Sequence, residues 1–124
     1  MKINKISAVL IWSGDYKKLA DWYKEKLGAT VIEEINHPND TGVGLSLGDS
    51  YLWIGRHSEV KGKNRDPYRI MLNISVDSVE KSYEELKNKG VEFIAEPFKA
   101  FTFDDWFATF KDLDGNILQF IGSR

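Results

Sequence analysis

Apolar residues along the chain alternate between two periods, and the switches between them outline the elements. Ile6 to Ser13 is rich in β-branched and aliphatic residues and reads as a strand. Asp15 is placed to cap a helix over 16–27, whose Leu19, Trp22, Tyr23 and Leu27 fall on one face, and Gly28 supplies a left-handed stop. Thr30 to Ile35 is the next strand. His37 to Gly42 has loop chemistry, and Val43 to Leu47 with Tyr51 to Arg56 reads as a hairpin around Gly48, Asp49 and Ser50. After a polar stretch from Ser58 to Pro67 the order recurs. Arg69 to Val76 is a strand, and Asp77 with Glu80 has capping-box spacing. A helix over 78–89 buries Val79, Tyr83 and Leu86, and Val91 to Ala95 forms a strand. An aromatic loop, Pro97 to Asp105, carries Phe98, Phe101 and Phe103. Trp106 to Lys111 and Asn116 to Ile121 close the chain as a hairpin.

The second half repeats the first. Asp15 and Asp77, Gly28 and Gly90, and Glu34 and Glu96 are each 62 positions apart. The expected fold is α+β, two tandem βαβββ modules forming curved mixed sheets around a cup. Module one covers about 1–57, a connector 58–67 and module two 68–124, all within a single domain of 1–124. Neither copy alone can bury its apolar sheet face, so the hollow between paired sheets is where a site is expected.

Composition narrows the partners. The 17 basic and 19 acidic residues leave a formal net charge of −2, with no positive excess to neutralise phosphates or anionic lipid. Lys61, Lys63, Arg65 and Arg69 form only a short basic run in a loop, so neither nucleic acid nor membrane is expected as a partner. The absence of cysteine excludes disulfides, thiolate chemistry and cysteine-based metal sites. Nothing near the first residues has the continuous apolar run of an export signal, and the expected location is cytoplasmic.

The double layout, the segment from Asp15 through Trp22, Tyr23 and Leu27 to Gly28, and the closing turn Asp112, Leu113, Asp114, Gly115, Asn116 leading to Gln119 together resemble the vicinal oxygen chelate superfamily. That group includes glyoxalase I, bleomycin-resistance proteins and extradiol dioxygenases. The resemblance implies two half-cups, commonly completed by a homodimer. In metal-dependent members, His, Glu or Gln side chains on four strands hold the ion. The matching positions here are Ala8, Trp53, Met71 and Gln119, which offer no useful donor, a thioether and one amide. A divalent ion needs about four to six lone-pair donors, so the family's metal site is expected to be missing and no cofactor is expected.

Strand alternation indicates what lines the cup instead. Ala8, Leu10 and Trp12 share one face, as do Tyr51, Trp53 and Gly55. In module two the continuous aliphatics Leu72, Ile74 and Val76 belong under the helix, leaving Met71, Asn73 and Ser75 for the cup. Ile117, Gln119 and Ile121 join them, with Leu118 and Phe120 in the core. Such a lining suits a partly apolar organic ligand stacked on Trp12 and Trp53 and oriented by Asn73, Ser75, Gln119 or Arg56, with Trp106 and the phenylalanines of the aromatic loop as a lid. Gly42, Gly44 and Gly48 read as turn and strand-bend positions.

The expected function is metal-independent binding of a small, partly aromatic molecule, such as an antibiotic or toxin that the protein sequesters. The alternatives are a glyoxalase-like lyase or isomerase, with metal held by other residues or with acid–base catalysis through His57 or a carboxylate, and an interaction protein whose cup is filled by its own side chains. His37 is the other imidazole.

Overall fold

The computed structural model describes all residues, Met1 to Arg124. Contacts divide the chain into two compact units, Met1–Gly62 and Lys63–Arg124, each a complete βαβββ module. The chain is therefore an α+β protein of two tandem modules, each with a four-stranded mixed sheet. No helix is long and apolar enough to cross a membrane.

Unit one contains β1 (Val9–Ser13), α1 (Tyr16–Leu27), β2 (Thr30–His37), β3 (Asp40–Leu47) and β4 (Ser50–Arg56). The sheet order is β1-β4-β3-β2, with β1 parallel to β4 and the other pairs antiparallel. A parallel β1–β4 pair needs a crossover, and α1 opens it and packs on the sheet. The Asp15 side chain accepts a hydrogen bond from the Lys18 backbone N–H at 3.4 Å, and Gly28 ends the helix in the left-handed region at φ 69°. Leu19, Ala20 and Tyr23 are buried, as are Val43, Leu45, Leu52 and Ile54 on the sheet face that α1 covers. Large-to-small truncation of such residues costs about 2–5 kcal/mol.

Unit two repeats this with β5 (Leu72–Val76), α2 (Val79–Asn88), β6 (Phe93–Lys99), β7 (Trp106–Lys111) and β8 (Ile117–Gly122), in the order β5-β8-β7-β6. Phe110, Leu118 and Phe120 are buried on the face toward α2. Asp112 accepts the backbone N–H groups of Asp114 and Asn116, both at 2.9 Å, and so pins the closing hairpin turn.

Several boundaries differ from the sequence reading, each for a local reason. Strands β1 and β5 start later than Ile6 and Arg69, because their parallel ladders begin at Val9↔Leu52 and Leu72↔Leu118. Strands β2 and β3 extend into the expected loop, because His37 pairs with Asp40 across a two-residue turn. Strand β6 continues through Pro97, which is tolerated because β6 is an edge strand and its register shifts between Ala95 and Phe98. The second helix is capped by Ser78 rather than Asp77. The Ser78 hydroxyl accepts from the Lys81 N–H at 3.2 Å, which leaves Glu80 to pair with Arg124 at 3.5 Å instead of closing a capping box.

Candidate functional site

In each unit the helix covers one sheet face, and alternation sends the remaining side chains to the other. On unit one this open face carries Leu10 and Trp12 of β1, Tyr51, Trp53 and Gly55 of β4, and Gly42 and Gly44 of β3, matched by the pairs Leu10↔Trp53, Trp12↔Gly55, Gly44↔Trp53 and Gly42↔Gly55. The ladder continues to β2 through Glu33↔Gly44 and Ile35↔Gly42.

The glycines have a specific use here. A Cβ on Gly42 would stand 2.6 Å from Cζ2 of Trp53. One on Gly55 would overlap the Trp53 indole nitrogen and lie 2.9 Å from Cζ3 of Trp12. The Trp53 ring thus lies close over the strands at Gly42 and Gly55, and the Trp12 ring also reaches the space over Gly55. Tyr51 crosses β3 above Gly44, and its hydroxyl donates to Glu33 Oε1 at 2.7 Å. The result is a shallow cavity of about 280 Å³ walled by Leu10, Trp12, Tyr51 and Trp53. Glu33, Ile35 and Asp40 complete its lining. The Tyr51 phenol is pushed up to about 12, first by burial, then by its hydrogen bond to Glu33 and the negative charges of Glu33 and Asp40.

Gly42 and Gly44 are therefore strand-interior clearances, and of the three glycines read as bends only Gly48 occupies a turn with positive φ. Glu33, Ile35 and Asp40 were not among the sequence-predicted site residues. The available signal was the alternation of Gly42 and Gly44 on the strand beside Tyr51 and Trp53, since absent side chains on one strand make room for large rings from the next.

On unit two the open face carries Asn73 and Ser75 of β5, Gln119 and Ile121 of β8, and Thr109 of β7. Thr109 Oγ1 donates to Gln119 Oε1 at 3.0 Å, and Gln119 Nε2 donates to Asn73 Oδ1 at 2.9 Å. This chain of amides crosses three strands and fixes the orientation of Gln119. Met71 precedes β5 in the same alternation and is 37% exposed.

Two expected lining residues sit elsewhere. Arg56 shares its alternation with Leu52 and Ile54 and pairs with the buried Ser13, so it belongs to the helix-side set of β4 rather than to the face of Trp53. Trp106 alternates with Ala108 and Phe110 on the helix side of β7, and the Arg124 guanidinium lies over its ring at 4.9 Å from the centroid.

The histidines are structural at their δ nitrogens. His37 Nδ1 accepts the Asn39 N–H and His57 Nδ1 accepts the Glu59 N–H, each at 3.1 Å, which puts the proton of the neutral ring on Nε2. The His57 ring meets Trp12 edge-on at 5.4 Å. No three His, Asp or Glu side chains converge to hold a metal ion. The four positions that the resemblance assigned to metal ligands are Ala8, Trp53, Met71 and Gln119, whose side chains offer one thioether and one amide carbonyl, a set that does not fit a divalent ion.

A duplicated βαβββ sheet with one helix-free face per module defines a class of small α+β proteins. The family model for the Glyoxalase/Bleomycin resistance protein/Dioxygenase superfamily matches residues 5–120, and the chain belongs to that superfamily. The chain is 27% identical over 122 residues to the uncharacterized protein YetH of Bacillus subtilis, covering 93% of this chain and 95% of that one. The crystal structure of a glyoxalase family protein from Enterococcus faecalis matches with TM-score 0.81 and 25% identity, covering 98% of this chain and 99% of that one. TnmS3, an antibiotic binding protein from Streptomyces sp. CB03234, shares the fold with TM-score 0.79 at 19% identity, over 100% of this chain and 99% of its own.

Proposed function

We propose that this chain is a metal-independent, glyoxalase/bleomycin-resistance-like protein that binds a small, partly aromatic organic molecule, sequestering an antibiotic or toxin without breaking a bond in it. The observation that carries the reading is the use of Gly42, Gly44 and Gly55 to lay two indoles and a phenol over the open face of one sheet. Strand interiors disfavour glycine, which adds backbone entropy and packs nothing. Three on one face are a cost that the aromatic floor above them offsets. Stacking surfaces with a few fixed polar groups are the ordinary make-up of a small-molecule site. The antibiotic-binding relative of the same fold is consistent with this use. The reading includes a cytoplasmic location and a homodimer, the state through which relatives commonly complete their cups.

The test is intrinsic tryptophan fluorescence and melting temperature against a panel of planar aromatic compounds. A ligand bound only by the folded state at about 100 times its Kd stabilises by about 2.7 kcal/mol, so quenching and a raised Tm are expected together. Failure of every compound to produce either effect overturns the reading in favour of a face occupied by the protein's own side chains.

A further inference from the structure

We infer that the ligand taken by the aromatic cavity of unit one is a cation, a planar aromatic molecule carrying a protonated amine or a quaternary nitrogen. This deepens the binding reading above and rests on it.

The charged side chains lining the cavity are both carboxylates, Glu33 on β2 and Asp40 at the start of β3. Neither is paired with a cation, unlike carboxylates such as Asp15, Asp21, Asp66 and Glu80, each of which has a lysine or arginine within 4.0 Å. Glu33 is held in place by the Tyr51 hydroxyl at one oxygen, and a phenol that stays protonated far above neutrality fixes that carboxylate without cancelling its charge. The second oxygen has no protein donor among these bonds.

The rings act in the same direction. Indole and phenol faces carry negative quadrupole charge, and tryptophan is the strongest cation–π partner among the side chains. An aromatic cation on Trp12 and Trp53 would gain stacking, cation–π attraction and the field of two carboxylates. A neutral molecule of the same shape would gain only the first, and an anion would be repelled by the rest.

A second hollow gives no such sign. It measures about 560 Å³ between α1 and β2, and Lys17 and Lys24 offset Asp21 and Glu34 there.

Calorimetric titration with three acridines of similar shape tests this. They are an aminoacridine protonated near neutral pH, acridine itself, which is uncharged there, and an acridine carboxylate. The cation is expected to bind about tenfold more tightly than the neutral compound, and the anion most weakly. In Glu33→Gln, and independently in Asp40→Asn, the ratio of cation to neutral affinity should fall about threefold, with circular dichroism confirming that each variant is folded. Equal affinities for cation and neutral compound overturn the charge inference while the binding reading stands. A cation preference left undiminished by both substitutions together also overturns it. Absence of binding by all three compounds overturns the binding reading, and the inference with it.

Discussion

Tyr51 lies directly across Gly44, so that a Cβ on the glycine would overlap the phenol hydroxyl. Gly44 stands on β3 between the strand that carries Tyr51 and the strand that carries Glu33. Only an absent side chain there lets the ring span the intervening strand and donate to the carboxylate beyond it. Gly44→Ala should therefore swing Tyr51 off Glu33. The methyl would also stand 2.9 Å from Glu33 Cγ. The expected loss is about 1 kcal/mol, the net worth of one hydrogen bond to a charged group less what glycine costs in a strand. Chemical denaturation at neutral pH measures it, and a variant as stable as the parent would show that the bond contributes nothing.

The same bond predicts behaviour in alkali. Folding holds the phenol at about 12, above its ordinary value of 10.0, so the folded state retains a proton that the unfolded state releases. That contribution is fully present below about pH 10 and fades as pH climbs toward 12. Burial is the largest cause of the shift, with the hydrogen bond to Glu33 next. Glu33→Gln should therefore lower the phenol's pKa without returning it to normal, and flatten the alkaline fall in stability. Spectrophotometric titration, with Tyr51→Phe identifying the signal, provides the check.

How far the sequence discloses this site depends on the kind of signal each residue leaves. Leu72, Ile74 and Val76 read as a core trio because all three are aliphatic; in the structure they are half-buried on the face of the buried Leu118 and Phe120, and Asn73, Ser75 and Gln119 alternate to the other. The 62-residue repeat likewise gave both helices and both sheets. Glu33 and Asp40 left no mark, because what places them beside Tyr51 is strand pairing across 18 and 11 positions, which local periodicity does not carry. Arg56 shows the opposite failure. A charged residue at a strand end looks like a ligand contact until its ladder partner, the buried Ser13, fixes its face.

Gly55 should tolerate no side chain on the aromatic face. Its hypothetical Cβ meets both indoles at once, and Trp53 is only 6% exposed, with little room to yield. Gly55→Ala is expected to cost about 1–3 kcal/mol by overpacking and to change the near-ultraviolet circular dichroism of the two tryptophans. Aromatic-ligand affinity should fall with it. Retained near-ultraviolet signal and affinity would mean that the indoles do not depend on that clearance.

On the other module, Thr109 is 7% exposed and is the donor that starts the chain to Gln119 and Asn73. Thr109→Val keeps the shape and removes the hydroxyl, leaving the Gln119 carbonyl without that partner. A loss of about 1 kcal/mol in urea denaturation is expected. A double-mutant cycle with Asn73→Ala should show coupling, since the two bonds share one amide. Additive effects would mean that Gln119 is positioned by strand packing alone.

Metal removal is the sharpest discriminator between the binding reading and a lyase or isomerase. A tightly bound ion would act as a ligand of the folded state, and occupancy at 100 times its Kd corresponds to about 2.7 kcal/mol. For modules of this size such a difference moves Tm by several degrees, well within measurement. Ala8 and Trp53 offer no donor, and the Trp53 ring is committed to the glycine floor, so restoring a ligand there would require dismantling the aromatic face. Protein purified from zinc-, nickel- and iron-supplemented medium should accordingly carry far less than one equivalent of metal by elemental analysis. Its Tm should be the same before and after dialysis against a chelator. Stoichiometric metal together with a chelator-dependent Tm would require donors outside the positions its relatives use, and would return the protein to the enzymes of its superfamily.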